Sequence, residues 1–89
     1  MIKFNLSKES PTIVAFDGEV LELFFIDGSK RLHVAHIKGL ELKTEKAGKH
    51  LFTIKLKYDP LLLWVDDEAL PKVNELIAEI QKGIASFQR

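Results

Sequence analysis

The stretch RLHVAHIKGL, residues 31–40, places its apolar side chains on conflicting faces of an extended chain. Leu32 and Val34 share one face, but the next large apolar residue, Ile37, has the opposite parity. Side chains of a β-strand alternate strictly between its two faces, so one straight strand cannot bury all three residues. The pattern therefore predicts a tight corner between two strands near Ala35 and His36.

A second change of parity follows at once, because Leu40 and Leu42 return to the first face. Gly39 lies between Ile37 and these leucines, and glycine tolerates the irregular backbone of a β-bulge. We therefore predict a bulge near Lys38 and Gly39.

Turn residues divide the chain on both sides of this corner. Asp17-Gly18 and Asp27-Gly28 each lie between apolar runs. An Asp-Gly dipeptide in that position predicts a hairpin, because a type I′ turn needs positive φ at both central residues. The segments AGK, residues 47–49, and YDP, residues 58–60, separate further apolar runs. Turns every 8–12 residues or so are typical of an antiparallel meander that closes into a sandwich or barrel. We expect about six or seven strands over residues 2–65.

The period of the apolar residues changes after Val65. At about 100° per residue, the apolar positions beyond it cover one arc of roughly 120°, as in an amphipathic helix. Asp66 or Asp67 can cap its start, and Gly83 can end its last turn. We predict a helix over about residues 67–82 that docks onto the sheet. The apolar positions are Leu70, Val73, Leu76, Ile77, Ile80, Ile84 and Phe87.

The composition narrows the class of protein. The chain has 89 residues, of which 46% are hydrophobic and 29% charged, so disorder is excluded. Thirteen Lys and Arg balance thirteen Asp and Glu, so no overall positive field favours nucleic acid. No cysteine is present, which excludes disulfides, thiolate catalysis and cysteine-bound zinc.

No signal peptide or membrane-spanning run is found, and we expect a cytoplasmic protein. Residues 1–89 are expected to form one α+β domain, mostly β, capped by the C-terminal helix.

The corner, the meander and the closing helix together resemble the pleckstrin-homology-like superfold, and most nearly its short bacterial members. In those sequences a basic residue, an apolar strand and an isoleucine that begins the next strand mark the corner. Arg31, Leu32, Val34 and Ile37 match that pattern, and the resemblance covers about residues 12–84. It implies a small barrel or sandwich more than it implies an activity.

The resemblance also implies a test for lipid binding. Lipid-binding members of the superfold place a lysine and spaced arginines around their first hairpin. Here that hairpin is FDGEV, residues 16–20, which contains Asp17 and Glu19 and no basic residue. We therefore do not expect a lipid headgroup to bind at this hairpin.

Catalytic and metal-binding chemistry has little support in the sequence. His33 and His36 are three residues apart and would point to opposite faces of a strand unless the corner turns them, and His50 opens a later strand. No acidic residue stands at a matching ligand spacing, so we expect no metal or other cofactor. No serine has a base placed by a motif, and no glycine-rich phosphate loop is present. We expect no enzyme, unless catalytic residues or the histidines converge from separate strands.

Surplus apolar residues are the main indication of function. One helix can cover one opening of a small barrel. Two of the strands, however, also carry large apolar side chains on their opposite face. We predict an interface there, and a non-enzymatic binding or self-assembly module that forms a homo-oligomer or binds a protein partner. The segment LLLWV, residues 61–65, would also suit strand addition by a partner. The predicted interface residues are Phe24, Ile26, Leu62 and Trp64.

A basic hairpin supports an alternative function. Lysines recur along residues 43–57, where they could bind an anionic ligand or a membrane surface. Glu41 and Glu45 interleave with them, and lysines also protect the edges of sheets from pairing. The predicted anion-binding residues are Lys43, Lys46, Lys49, Lys55 and Lys57.

Overall fold

The structure is a computed structural model that describes residues 1–9 and 11–87. Within these residues, seven strands follow one another as an antiparallel meander. The first four strands pair in chain order as one sheet, and the last three pair in chain order as a second sheet. One α-helix, α1, follows them over Leu70–Phe87. The predicted fold class, mostly antiparallel strand with one C-terminal helix, is confirmed. The strands are β1 Ile2–Asn5, β2 Ile13–Phe16, β3 Val20–Phe25, β4 Gly28–His33, β5 Gly39–Lys46, β6 Lys49–Lys55 and β7 Leu61–Asp66.

The predicted corner is a 3₁₀ turn over Val34–His36, and it carries the chain from the first sheet to the second. The backbone N–H of Ala35 donates to Nδ1 of His33 over 3.0 Å, so the histidine caps the turn. Val34 and Ile37 are both buried on either side of the change of direction. The parity conflict in the sequence is therefore resolved as predicted, by a turn between two strands.

The second change of parity lies just before β5 rather than inside a strand. The N–H of Lys38 donates to the carbonyl oxygen of Lys55 over 2.7 Å, and Gly39, the first residue of β5, pairs with the same Lys55. Lys38 and Gly39 therefore both lie opposite Lys55, which is the two-against-one arrangement of a bulge at the predicted position. The β5–β6 ladder has a further shift of register between Thr44 and Lys46, which was not predicted.

The first hairpin forms as predicted but is closed by a side chain. No residue other than glycine has positive φ among those described, so the predicted type I′ turn is wrong; Gly18 alone supplies a left-handed residue here, at φ 102°. The carboxylate of Asp17 accepts hydrogen bonds from the N–H groups of Val20, at 2.8 Å, and Glu19, at 2.9 Å. These backbone donors, Val20 first, hold the pKa of Asp17 below its ordinary value. Asp17 thus stabilises the turn through its side chain.

The helix is longer than predicted. A 3₁₀ turn over Asp67–Ala69 precedes it, and it continues to Phe87. The predicted end at Gly83 was wrong because this glycine serves packing. A methyl group at Gly83 would put its carbon 2.8 Å from the carbonyl oxygen of Gly18 and 3.2 Å from Cγ1 of Val34. The missing side chain lets the helix lie directly against the first hairpin and the corner.

The core joins both sheets to one stripe of the helix. Val73, Leu76 and Ile80 of α1 are fully buried, while Ile77 is only partly buried at the side of the stripe. The strands contribute buried residues to the same core, among them Val14, Phe16, Leu21, Leu23, Phe52, Ile54, Leu63 and Val65.

No helix among the described residues has both the length and the apolar character needed to cross a membrane.

Candidate functional site

The outer face of the second sheet carries an exposed apolar strip. Along β7 the side chains alternate, so Leu63 and Val65 enter the core while Leu62 and Trp64 point outward and are 56% and 45% exposed. Leu51 of β6 lies directly opposite Trp64 and is partly buried. We call Leu51, Leu62 and Trp64 the β7 strip. Exposed apolar residues that neighbour one another in this way are typical of interaction surfaces.

The backbone beside the β7 strip is an open sheet edge. β7 is the last strand of its sheet, and the N–H of Asp66 points away from β6 to donate to the carbonyl oxygen of Leu6 over 2.9 Å. In an antiparallel ladder, residues of one parity point their N–H and C=O to the same side. Leu62 and Trp64 share the parity of Asp66, so their backbone groups also face away from β6. Within residues 1–9 and 11–87, no backbone group pairs with them on that side.

The other two predicted interface residues belong to the first sheet. Phe24 lies opposite Ile13 on the outer face, and each is 39% exposed. Ile26 lies in the turn after β3 and is 84% exposed. The structure therefore brings Leu62 and Trp64 together and separates them, by sheet, from Phe24 and Ile26.

Carboxylates accompany the lysines that the sequence predicts to bind anions. Lys55 lies 3.4 Å from Glu41, and Lys43 lies 3.9 Å from Glu45. Lys49 pairs with two carboxylates, one of which belongs to Asp66 at 3.1 Å. Each of these pairs reduces the positive potential that an anionic ligand would meet.

The remaining two lysines lie at opposite ends of the hairpin. The ammonium of Lys57 is 5.5 Å from the centre of the Tyr58 ring, a cation–π distance. Lys46 pairs with Lys49 across the turn that joins β5 to β6. The five lysines are therefore spread over both strands of the hairpin and the residues that follow it.

A polar cluster that the sequence did not predict lies at the end of β7. The carboxylate of Asp66 accepts hydrogen bonds from the N–H of Lys8 at 2.9 Å, from Nζ of Lys49 at 3.1 Å and from the hydroxyl of Ser7 at 3.4 Å. The Lys8 N–H, followed by Lys49, holds the pKa of Asp66 below its ordinary value. The hydrogen bonds that the Lys49 ammonium donates to Asp66 and to Glu9 raise the pKa of Lys49. Of the two predicted caps, Asp66 and Asp67, Asp66 occupies the N-cap position of the 3₁₀ turn, but its side chain makes no hydrogen bond to that turn.

A shallow cleft connects this polar cluster to the β7 strip. Its volume is about 280 Å³, and Trp64 forms one wall of it. Ser7, Glu9, Lys46 and Lys49 form the rest of the lining. One tryptophan face beside a mixed set of charges can contact a polypeptide, but it presents no concentrated charge for a small anion.

The three histidines occupy separate environments. Nε2 of His33 lies 3.3 Å from Glu19, and the His33 ring packs edge-on against Phe87 with 4.8 Å between ring centres. His36 is exposed at the corner, 6.3 Å from His33 between ring centres. The part of the chain that the structure describes holds no group of three His, Cys, Asp or Glu side chains able to bind a metal ion.

His50 is the buried histidine, and its hydrogen bonds tie the second sheet to the start of the helix. Its Nδ1 lies 3.0 Å from the hydroxyl of Thr44 in β5, and its Nε2 is hydrogen-bonded to the carboxylate of Asp67. Only 8% of the His50 side chain is exposed. This hydroxyl–imidazole–carboxylate chain gives both ring nitrogens a partner and links β5, β6 and the 3₁₀ turn.

Fold and surface together define a small α+β domain with an open apolar edge strand. Comparison of the chain with models of protein families, with curated proteins and with solved structures finds no match.

The depressed pKa of Asp66 makes a pH-dependent prediction. A carboxyl group whose folded pKa lies below its ordinary value of 3.8 contributes stability above that value, and the contribution is lost as the pH falls through the folded pKa. We therefore expect Asp66→Asn to be less stable than the unmodified chain at neutral pH, and the difference to shrink as the pH falls below about 4. Urea unfolding across this range measures it.

Asp59→Asn is a matched control for this experiment, because Asp59 is exposed in the loop before β7. It should leave the urea midpoint nearly unchanged at each pH. A difference between Asp66→Asn and the unmodified chain that stays constant or widens in acid would contradict the role given to Asp66.

Proposed function

We propose that this chain is a non-enzymatic self-assembly module of the pleckstrin-homology-like type, and that it assembles through the β7 strip. The observation that carries the proposal is the pair Leu62 and Trp64, exposed beside a backbone edge that has no partner within residues 1–9 and 11–87. An exposed edge strand with an apolar face is a template for pairing with another chain. Assembly through this edge would give the open backbone groups partners and bring the side chains of the strip into contact with those of a second chain.

The outer face of the first sheet gives weaker support for assembly. β3, which carries Phe24, is an inner strand with neighbours on both sides, so it offers no open edge. The row of residues beside Phe24 is charged, since Glu22 of β3 lies 3.8 Å from Arg31 of β4. This patch therefore lacks the open backbone groups that association through the β7 strip would give a partner.

The pleckstrin-homology-like part of the proposal rests on topology. The seven-strand meander, the corner at Val34–His36 and the closing helix are the features on which the resemblance depends. The first hairpin contains Asp17 and Glu19, so the proposed module has no basic headgroup site there.

An anionic ligand or membrane surface bound by the hairpin of residues 43–57 is the alternative. Lys46 and Lys49 share the cleft beside Trp64, which is the feature that favours it. Its support is weaker because Glu9 and Asp66 both contact Lys49 in that cleft.

Trp64→Lys tests the proposal. A buried tryptophan at the centre of an interface costs about 2 kcal/mol or more when lost, so the variant should associate about 30-fold more weakly or worse. Lysine is tolerated on an exposed strand face, so the monomer should keep its fold. Sedimentation equilibrium measures the mass, and circular dichroism with a thermal melt measures the fold.

Phe24→Lys is the matched control, since it places the same charge at a half-exposed aromatic position of the other sheet. It should assemble like the unmodified chain. Loss of assembly in Phe24→Lys together with normal assembly in Trp64→Lys would move the interface to the first sheet and contradict the proposal.

A further inference from the structure

We infer that the partner of β7 is β7 of a second copy, paired antiparallel about a two-fold axis that passes through Leu63. This inference rests on the proposed self-assembly and specifies its geometry. The edge itself supplies three observations: where it is open, which side chains flank its centre, and which charges it lacks.

The open part of the edge is symmetric about Leu63. Pro60 precedes the strand and has no N–H to donate, and at the other end the N–H of Asp66 is already bonded to Leu6. Residues 61–65 remain between these limits, and Leu63 is their midpoint. A two-fold axis through that midpoint lets each copy present the whole of its free edge to the other, as an isologous contact requires.

The two outward residues then complement each other. With the axis at Leu63, Leu62 of one copy lies opposite Trp64 of the second copy, and Trp64 of the first lies opposite Leu62 of the second. Opposite residues of a hydrogen-bonded antiparallel pair exchange both N–H···O bonds, so every free backbone group of Leu62 and Trp64 gains a partner. Their side chains lie on one face about 5 Å apart at Cβ, where an aromatic–aliphatic pair stabilises the ladder.

The charges of the strands distinguish this edge from the other sheet edges. β1 carries Lys3, β4 carries Lys30 and Arg31, and β5 carries Glu41 and Lys43. Charged side chains on an edge oppose pairing, most of all about a two-fold axis that places like charges together. Residues 61–65 of β7 carry no charge. Self-pairing therefore meets no repulsion along the open edge of β7.

Pairing would extend the sheet and merge two apolar surfaces. The second sheet has the order β5-β6-β7, so a second copy across the axis continues it through its own β7, β6 and β5. The β7 strips of the two copies, each formed by Leu51, Leu62 and Trp64, then become one continuous surface at the centre of the joined sheet.

Cysteine cross-linking tests the register, because the chain contains no cysteine of its own. Leu62→Cys and Trp64→Cys are made as two separate proteins, mixed, and oxidised. Opposite residues have Cα atoms about 5.5 Å apart, within the range that a disulfide spans. Residues 62 and 62, or 64 and 64, of the two copies are diagonal neighbours at about 7–8 Å, beyond that range.

The expected product in the mixture is the mixed disulfide, well above the fraction of about half that random pairing gives. Each variant oxidised alone should cross-link poorly. The two chains differ in mass, so intact mass spectrometry separates the mixed dimer from the two homodimers. In the mixed dimer one Leu62–Trp64 contact stays native, which preserves the association that the test needs.

Other outcomes overturn the inference in distinguishable ways. Random cross-linking in an assembly that Trp64→Lys still disrupts would refute β7 pairing and leave self-assembly through the β7 strip standing, with the two faces stacked instead. An unmodified chain that stays monomeric would refute both, and would leave an extended apolar peptide of another protein as the occupant of the edge.

Discussion

Truncation of Leu76 to alanine is expected to lower the free energy of unfolding by about 2–5 kcal/mol. Leu76 is fully buried at the centre of the helix stripe, between Val73 and Ile80. The loss combines the lost burial of the side chain with the cavity that it leaves behind. A small domain has only about 5–15 kcal/mol of stability in total, so this one change would remove a large part of it. The melting temperature should fall by about 8 °C or more.

Two control variants show whether the loss reflects docking of the helix. Ile77 is next to Leu76 but only partly buried, so Ile77→Ala should cost clearly less. Gln81 is exposed on α1, and Gln81→Ala should change the free energy of unfolding by no more than about 0.5 kcal/mol. Urea unfolding gives all three values. A Leu76→Ala midpoint equal to that of Gln81→Ala would mean that the helix stripe does not dock on the sheets.

Replacement of Gly83 by alanine is expected to destabilise the protein, against the usual trend for a helix. Inside an exposed helix this change gains about 0.8–1 kcal/mol from helix propensity. Here the new methyl carbon would lie 2.8 Å from the backbone oxygen of Gly18, in a turn that the Asp17 carboxylate holds in place. The helix or the hairpin must move, and overpacking of this kind costs about 1–3 kcal/mol.

Ser86→Ala is the control for the loss of stability that we expect in Gly83→Ala. Ser86 is exposed near the end of the same helix, so alanine there should raise stability by a few tenths of a kcal/mol through propensity alone. The two variants should therefore shift the urea midpoint in opposite directions. A gain of stability in Gly83→Ala would show that the helix does not approach the first hairpin closely.

Parity arguments predicted the corner because burial acts on every residue of a strand. Leu32, Val34 and Ile37 could be buried together only if the chain turned between them, and the 3₁₀ turn over Val34–His36 is that solution. The same reasoning placed Leu62 and Trp64 on one face of their strand, and both are exposed. Parity cannot say which sheet a strand joins, so the separation of Phe24 and Ile26 from these two residues was not predictable.

The predictions that failed concern residues that can play either of two structural roles. Glycine can end a helix by adopting positive φ or can admit a close neighbour by lacking a side chain, and at Gly83 the distant carbonyl of Gly18 decides for the second use. An aspartate before a helix can cap it, but the carboxylate of Asp66 is taken by Lys8 and Lys49. Both partners are remote in the sequence, and local patterns do not contain them.

The turn after β2 shows the same limit on a smaller scale. The Asp-Gly pair correctly indicated a hairpin, yet the conformation of the turn depends on which donors the carboxylate of Asp17 reaches. The turn has one residue with positive φ, Gly18, where a type I′ turn needs two, and it is closed by the two hydrogen bonds that the Asp17 carboxylate accepts. The residue type therefore predicts that a turn exists more reliably than it predicts the geometry of that turn.

Assembly through β7 would also explain why a chain of this size leaves Leu62 and Trp64 in solvent. A domain of fewer than 100 residues buries a smaller fraction of its surface than a larger one, and association adds to that fraction. The stability of such a module then depends on its own concentration. The thermal midpoint of the unmodified chain should rise with concentration, whereas that of Trp64→Lys should not.

Sedimentation equilibrium of the unmodified chain, from low to high micromolar concentration, tests self-assembly itself. We expect the average mass to rise with concentration from the 10.1 kDa of the single chain toward twice that value. A mass that remains 10.1 kDa across the whole range would contradict self-assembly through the β7 strip.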